Sequence, residues 1–104
     1  MDENVNDLYL QGLVYIELKE YDLAVASFTE AAAWFHPDAQ YRLAFCYEWG
    51  LGVKEDITKA AVWYKRAAQL GHVKALLWLG DRYSSGEGAD EKARAWREQA
   101  HEPS

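Results

Sequence analysis

Apolar and small side chains recur along this chain at spacings of three and four residues. In the first third of the chain the pattern is carried by Leu8, Gly12, Tyr15, Ala24 and Phe28. Such spacing places side chains on one face of an α-helix, whereas a β-strand would show alternation. The pattern predicts six helices in antiparallel pairs, at about 6–19, 22–35, 38–49, 57–70, 73–84 and 90–101.

Residues that start and stop helices agree with these boundaries. Pro37 suits the first turn of a helix, where its missing N–H is not needed. Asp22, Asp56 and Asp90 stand at the start of the second helix of each pair, and we predict that they cap it. Gly71 is expected just beyond a helix end.

The three pairs are copies of one unit. In each, a small residue is followed three positions later by tyrosine, at 12 and 15, 44 and 47, and 80 and 83. Ala24 with Phe28 matches Ala60 with Tyr64, while the third unit has Arg97 at the aromatic position. A small residue in the first helix lets the two helices of a pair approach closely. We predict one all-α domain over 1–104, with repeats at 6–36, 37–71 and 72–101.

Composition excludes several classes of protein. A chain of 104 residues that is half apolar can bury one small core, which argues against disorder. Its apolar runs are far shorter than the roughly 20 residues that cross a bilayer, and its first residues lack the layout of a secretory signal. A single cysteine cannot form an internal disulfide. We therefore expect a cytoplasmic protein with no membrane association.

The net charge is acidic. It is −6, and residues 1–36 hold seven acids against one base. Nucleic-acid binding requires the opposite sign, so we do not expect it. The acidic end is either a solvated surface or a surface that favours a basic partner segment.

The second unit resembles a Sel1-like repeat, and the first fits the related tetratricopeptide spacing. The residues that carry the Sel1-like resemblance are Ala39, Leu43, Ala44, Tyr47, Gly50, Gly52, Val53, Asp56, Ala60, Trp63, Tyr64, Ala67, Ala68 and Gly71. The third unit repeats this pattern up to residue 88, and Gln11 in the first unit replaces a usual leucine. The resemblance implies a right-handed α-solenoid of three helix-turn-helix repeats. It further implies a scaffold or adaptor that binds other proteins and is not an enzyme.

The first helix of each pair is apolar nearly all round, and one buried face cannot hold so many apolar residues. In a stack of such pairs these helices line a concave surface. Once packing within each pair is assigned, a second stripe remains: Tyr9, Leu13, Ile16, Tyr41, Phe45, Trp49 and Leu77. The family's groove positions fall on this stripe and add Asn6, Glu17, Asp38, Glu48, Lys74 and Asp81.

Two interpretations of the stripe stay open. It lines a groove for a peptide or protein with apolar anchors and a basic residue, or it packs between neighbouring repeats. A further alternative is a homodimer through residues 5–18, because this helix lacks the polar residues that cover the last helix. Another is an acidic inhibitor or immunity-type protein.

Candidate catalytic and metal-binding features are weak. The pairs Gly50-x-Gly52 and Gly86-x-Gly88 lack a third glycine and a preceding strand, so they indicate loops. His36, His72 and His101 stand at helix ends or in the tail without the spacing of a helical zinc site, and we expect capping or solvated roles. Cys46 takes a packing position and should be an inert buried thiol. We expect no cofactor or metal.

Overall fold

Five helices follow one another through residues 2–83, the part of the chain that the computed structural model describes. They are α1 (Asp2–Glu17), α2 (Tyr21–Ala33), α3 (Pro37–Trp49), α4 (Ile57–Gln69) and α5 (Val73–Tyr83). Helices adjacent in sequence pack together, so α1 with α2 and α3 with α4 form hairpins, and α5 begins a third. The all-α fold is confirmed. The predicted sixth helix at 90–101, with Asp90, Arg97 and His101, lies outside the described residues.

The predicted helix boundaries depend on capping, and most of the predicted caps are present. Pro37 opens α3, and Asp56 Oδ1 accepts a hydrogen bond from the Lys59 N–H at 3.0 Å. Gly71 has a φ of 88°, a left-handed conformation just after α4 that glycine adopts without strain. The prediction for Asp22 is wrong. The N-cap of α2 is Glu20, which makes no side-chain cap, and Asp22 lies inside the first turn.

Two apolar clusters hold the hairpins together. The first joins α1, α2 and α3 around Phe28 and Leu43, and the second joins α3, α4 and α5 around Tyr64 and Leu79. Gly12 lets the two helices of the first hairpin approach closely, because a Cβ there would lie 2.4 Å from the Phe28 ring. The small residues at 44 and 80 are likewise buried, as predicted for hairpin packing. Within residues 2–83 no helix is long and apolar enough to cross a membrane.

The outer face of α1 corrects one sequence expectation. Ala39 and Leu43 on α3 pack against α2 of the preceding hairpin, and both are buried. The equivalent positions of α1, 32 residues earlier, are Asp7 and Gln11, and both are exposed. Residues 5–18 therefore do include polar, exposed side chains on the face that a preceding repeat would cover.

Candidate functional site

The predicted apolar stripe divides into exposed and half-buried residues. Trp49 is 61% exposed, Phe45 38% and Leu77 37%. The remaining four are half-buried against the two cores: Tyr9, Leu13, Ile16 and Tyr41. Packing therefore absorbs part of the stripe, but α3 and α5 still present large apolar side chains to solvent.

Phe45 and Trp49 form the most exposed aromatic surface of the stripe. They lie one turn apart on α3, with ring centroids 6.2 Å apart and planes at 47°. One turn of helix places side chains at positions i and i+4 on the same face, so the two rings form one continuous patch. Exposed aromatic clusters of this kind are typical of interface hot spots.

Most of the predicted polar residues lie at the surface. Asn6, Glu17, Asp38, Lys74 and Asp81 are all exposed. Four of the predicted residues also meet in one cleft of about 490 Å³ that joins α1, α3 and α5: Tyr9, Asp38, Tyr41 and Lys74. The others do not line this cleft.

Glu48 differs from the other predicted polar residues because it is not exposed. It is half-buried, and its Oε1 accepts a 2.7 Å hydrogen bond from the Tyr64 hydroxyl. Its Oε2 accepts a 3.1 Å hydrogen bond from the Trp78 indole N–H. Burial and the hydrogen bond to Glu48 raise the pKa of Tyr64 above its ordinary value, so the phenol stays protonated and donates. Glu48 thus links α3 to α4 and α5.

The two described inter-repeat junctions share a histidine arrangement that was not predicted from the sequence. His36 caps α3 by accepting from the Ala39 N–H at 3.1 Å, and His72 caps α5 by accepting from the Ala75 N–H at 3.2 Å. Capping was one of the two roles expected for these histidines. The second contact of each ring was not predicted: His36 stacks on Tyr9 at 4.8 Å, and His72 on Tyr41 at 4.6 Å. The available signal was that both histidines immediately precede the first helix of a unit.

The other ring nitrogen of each histidine reaches the preceding first helix. His72 Nε2 lies 2.9 Å from Asp38 Oδ1, and His36 Nε2 lies 3.3 Å from Asn6 Oδ1. Because Nδ1 accepts a hydrogen bond, Nε2 carries the proton and donates it. Each histidine therefore joins two neighbouring first helices, and His72 also lines the cleft.

His72 should make stability depend on pH. Burial lowers the pKa of His72 below its ordinary 6.5, although the nearby Asp38 carboxylate opposes this. The unfolded chain therefore takes up the proton first, and the stabilisation present above pH 6.5 is lost as the pH falls through the lower folded-state pKa. Urea midpoints should fall over that range. They should fall less in H72N, since asparagine also caps helices but does not titrate. Equal pH profiles would contradict this assignment.

Cys46 is buried, as predicted. Its side chain is 1% exposed, and burial raises its pKa to about 11, with Arg42 opposing this shift. The thiolate is the reactive form of cysteine, so at neutral pH this sulfur is a packing group.

The comparisons with known proteins agree on one family. The family model for the Sel1 repeat matches residues 37–72 and 73–100. A sel1-like repeat-containing protein of Acanthamoeba polyphaga mimivirus is 32% identical over 87 residues, which are 84% of this chain and 16% of that protein. Chitin synthase regulatory factor 3 of Schizosaccharomyces pombe is 30% identical over 82 residues, which are 79% of this chain and 9% of that protein.

Two crystal structures share the fold. A Sel1 repeat protein from Oxalobacter formigenes superposes with a TM-score of 0.86 at 27% identity, covering 95% of this chain and 44% of that one. A protective antigen of uropathogenic Escherichia coli, described as displaying an SLR fold, gives 0.84 at 31% identity, covering 95% of this chain and 23% of that one. The chain thus spans less than half the length of each of these relatives.

Proposed function

Because this chain belongs to the Sel1 repeat family, we propose that it is a non-catalytic module that binds a partner protein through the surface of α1, α3 and α5. Proteins of this family are generally protein-interaction scaffolds with an α-solenoid fold. In this proposal the first helices line a concave groove, and the division into repeats at 6–36, 37–71 and 72–101 sets its length.

The exposure of Phe45 and Trp49 is the observation that carries the proposal. The two rings form one patch, and Leu77 on α5 adds a further exposed apolar side chain. Apolar groups of this size gain free energy when a partner removes them from water. We therefore assign the central apolar anchors of the partner to this patch.

The charges of the surface indicate the polar part of the partner. Asp38 has a side chain that is 56% exposed, and Glu17 is exposed at the position equivalent to Trp49 in the preceding repeat. Acidic groups beside aromatic rings favour an arginine or lysine, which can pair with the carboxylate and lie over the ring. The proposed partner is accordingly a peptide segment with apolar anchors and a basic residue.

The test is a peptide selected from a display library and measured by fluorescence polarisation. The double variant F45A/W49A should lose binding by roughly 30-fold for each ring removed, since hot-spot truncation costs about 2 kcal/mol. Tyr41 is less suitable for this test because its ring also packs against the buried Tyr64.

The matched control is I57A/V62A, which removes two exposed apolar side chains from α4. This variant should bind the selected peptide normally and keep the same helicity by circular dichroism. Unchanged binding by F45A/W49A, or lost binding by the α4 variant, would contradict the proposed groove.

Self-assembly through α1 is the second candidate. Leu10, Val14 and Leu18 are each 48–63% exposed and lie at intervals of four residues, which puts Leu10 and Val14 on one face of α1 and Leu18 in the turn that follows it. Asp7 and Gln11 lie on the same face, three or four residues from Leu10 or Val14, and oppose a close apolar contact. Light scattering on the same samples separates the two candidates, because the groove proposal expects a monomer mass at every concentration.

A further inference from the structure

A second cleft, of about 500 Å³, lies between the C-terminal ends of α2 and α4. Phe35 follows α2 and lines one side, while Trp63, Arg66 and Leu70 line the other. Gln40 of α3 also lines it. The volume falls within the range of pockets that bind small ligands or single side chains. Leu70 also lines the cleft between α1, α3 and α5, whereas Phe35, Gln40, Trp63 and Arg66 do not.

Gln40 is an unusual residue in this cleft. It is only 2% exposed, and its Nε2 donates to the Ala32 carbonyl at 3.2 Å. Its Oε1 has no hydrogen-bond partner among the described residues. The equivalent positions of α1 and α5 are Leu8 and Leu76, so the repeat does not need an amide here. A buried acceptor without a donor destabilises the fold.

Phe35 is the second unusual residue. Its φ is 62°, in the left-handed region that disfavours a bulky side chain, and its ring is 74% exposed. Gly71 takes the equivalent position after α4, with a φ of 88°. The first repeat thus places an exposed aromatic ring where the backbone conformation favours glycine.

Both residues destabilise the folded chain locally, and both line the same cleft. The next junction, between α4 and α5, forms the same elements with Gly71 and Leu76 at these positions, so folding does not require either residue. Backbone strain and unsatisfied polar groups cluster at ligand-binding sites. We propose that this cleft is a second binding site, and that it takes an extended peptide segment bearing one large apolar side chain.

The chemistry of the lining selects a peptide rather than a purely apolar ligand. Phe35, Trp63 and Leu70 offer apolar surface to a side chain, while Gln40 Oε1 requires an N–H donor. The Arg66 guanidinium, 4.6 Å from the centre of the Trp63 ring, can donate to a carbonyl oxygen. A peptide group carries both the donor and the acceptor. Gln40 Oε1 is itself buried, so the segment reaches it only when lining side chains move aside, and Arg66, Gln69 and Leu70 are exposed enough to do so.

N-acetyl-L-tryptophanamide is a minimal probe, because it carries an aromatic side chain between two amide groups. In an NMR titration of the full chain, it should shift the resonances of Phe35, Gln40, Trp63 and Leu70 saturably, with a Kd of about 1 mM. Indole, which lacks the peptide groups, should bind at least about tenfold more weakly.

Two variants test the residues that carry the proposal. Q40M removes the acceptor and F35G removes the ring, and each should weaken binding of the probe about tenfold. W49A, on the proposed groove, should bind the probe like the original chain. Both cleft variants should also have higher urea midpoints, because each removes a feature that destabilises the fold. In Q40M the Ala32 carbonyl loses the Gln40 bond but still accepts from the Phe35 N–H at 3.0 Å.

Three results would overturn the proposal. The first is the absence of a saturable shift, and the second is equal binding of indole and the tryptophan probe. The third is a Q40M variant less stable than the original chain, since the amide would then be satisfied within the fold, for example by a buried water. None of these results bears on the proposed groove, so the two proposals can fail separately.

Discussion

Replacing Gly52 by alanine is expected to lower the free energy of unfolding by about 2–5 kcal/mol. Gly52 has a φ of 72°, and an L-residue held in this region loses about 1–2 kcal/mol. The added Cβ would also lie 2.3 Å from the Tyr21 carbonyl oxygen, at the start of α2. Overpacking against backbone, which cannot rotate away, adds about 1–3 kcal/mol. Urea denaturation followed by circular dichroism measures the sum.

Gly71 provides the matched control. Its φ of 88° is equally unfavourable for alanine, but a Cβ there would meet no atom within 4 Å. G71A should therefore show only the conformational part, about 1–2 kcal/mol. Equal losses in the two variants would contradict the contact between the α3–α4 loop and α2. A larger loss in G52A would assign the difference to packing between the first and second repeats.

Helix positions could be predicted from the sequence because the signals are local. The helix predicted at 38–49 is found at Pro37–Trp49, and the one predicted at 57–70 is found at Ile57–Gln69. The prediction that Asp22 caps α2 was wrong because capping was assigned from residue type alone. Lys19 takes a left-handed φ of 60°, and the Glu20 N–H bonds back to the Tyr15 carbonyl, so the turn after α1 leaves Glu20 at the N-cap.

The candidate site was only partly predictable, since it depends on contacts between distant residues. Helical spacing predicts the apolar stripe. It does not predict which aromatic rings of the stripe are covered by side chains from another part of the chain. Tyr9 and Tyr41 are half-buried beneath histidines that lie some 30 residues later in the chain. Glu48 was predicted because it falls on a groove position of the family. Its bond to Trp78, another 30 residues away, has no local signal.

Gln40 and Phe35 show why the second cleft could not be found from the sequence. Once the repeats are aligned, each differs from its leucine or glycine counterparts, but such differences are common on repeat proteins. Only the structure places both on one cleft and leaves one amide oxygen without a donor. The departure of these two residues from the repeat pattern therefore indicates a site only once the structure shows that they line the same cleft.

Replacing Tyr64 by alanine should lower the free energy of unfolding by about 3–5 kcal/mol, as for other large buried aromatic residues. Tyr64 is 1% exposed, at the centre of the second core. Its ring stacks on Trp78 with centroids 4.1 Å apart and meets the edge of Tyr41 at 5.4 Å. Truncation would remove contacts from three helices at once, and thermal or urea unfolding would measure the loss.

Y64F isolates the hydrogen bond within this cluster, since it keeps the ring and removes only the hydroxyl that donates to Glu48. The expected loss is about 1–2 kcal/mol, because the acceptor is charged but only half-buried. E48Q removes the charge and places an amide N–H₂ against one of the two donors. A double-mutant cycle of Y64F and E48Q should therefore give a coupling energy of about 1 kcal/mol. A coupling near zero would mean that Glu48 is available to a partner instead of holding α3 to the second core.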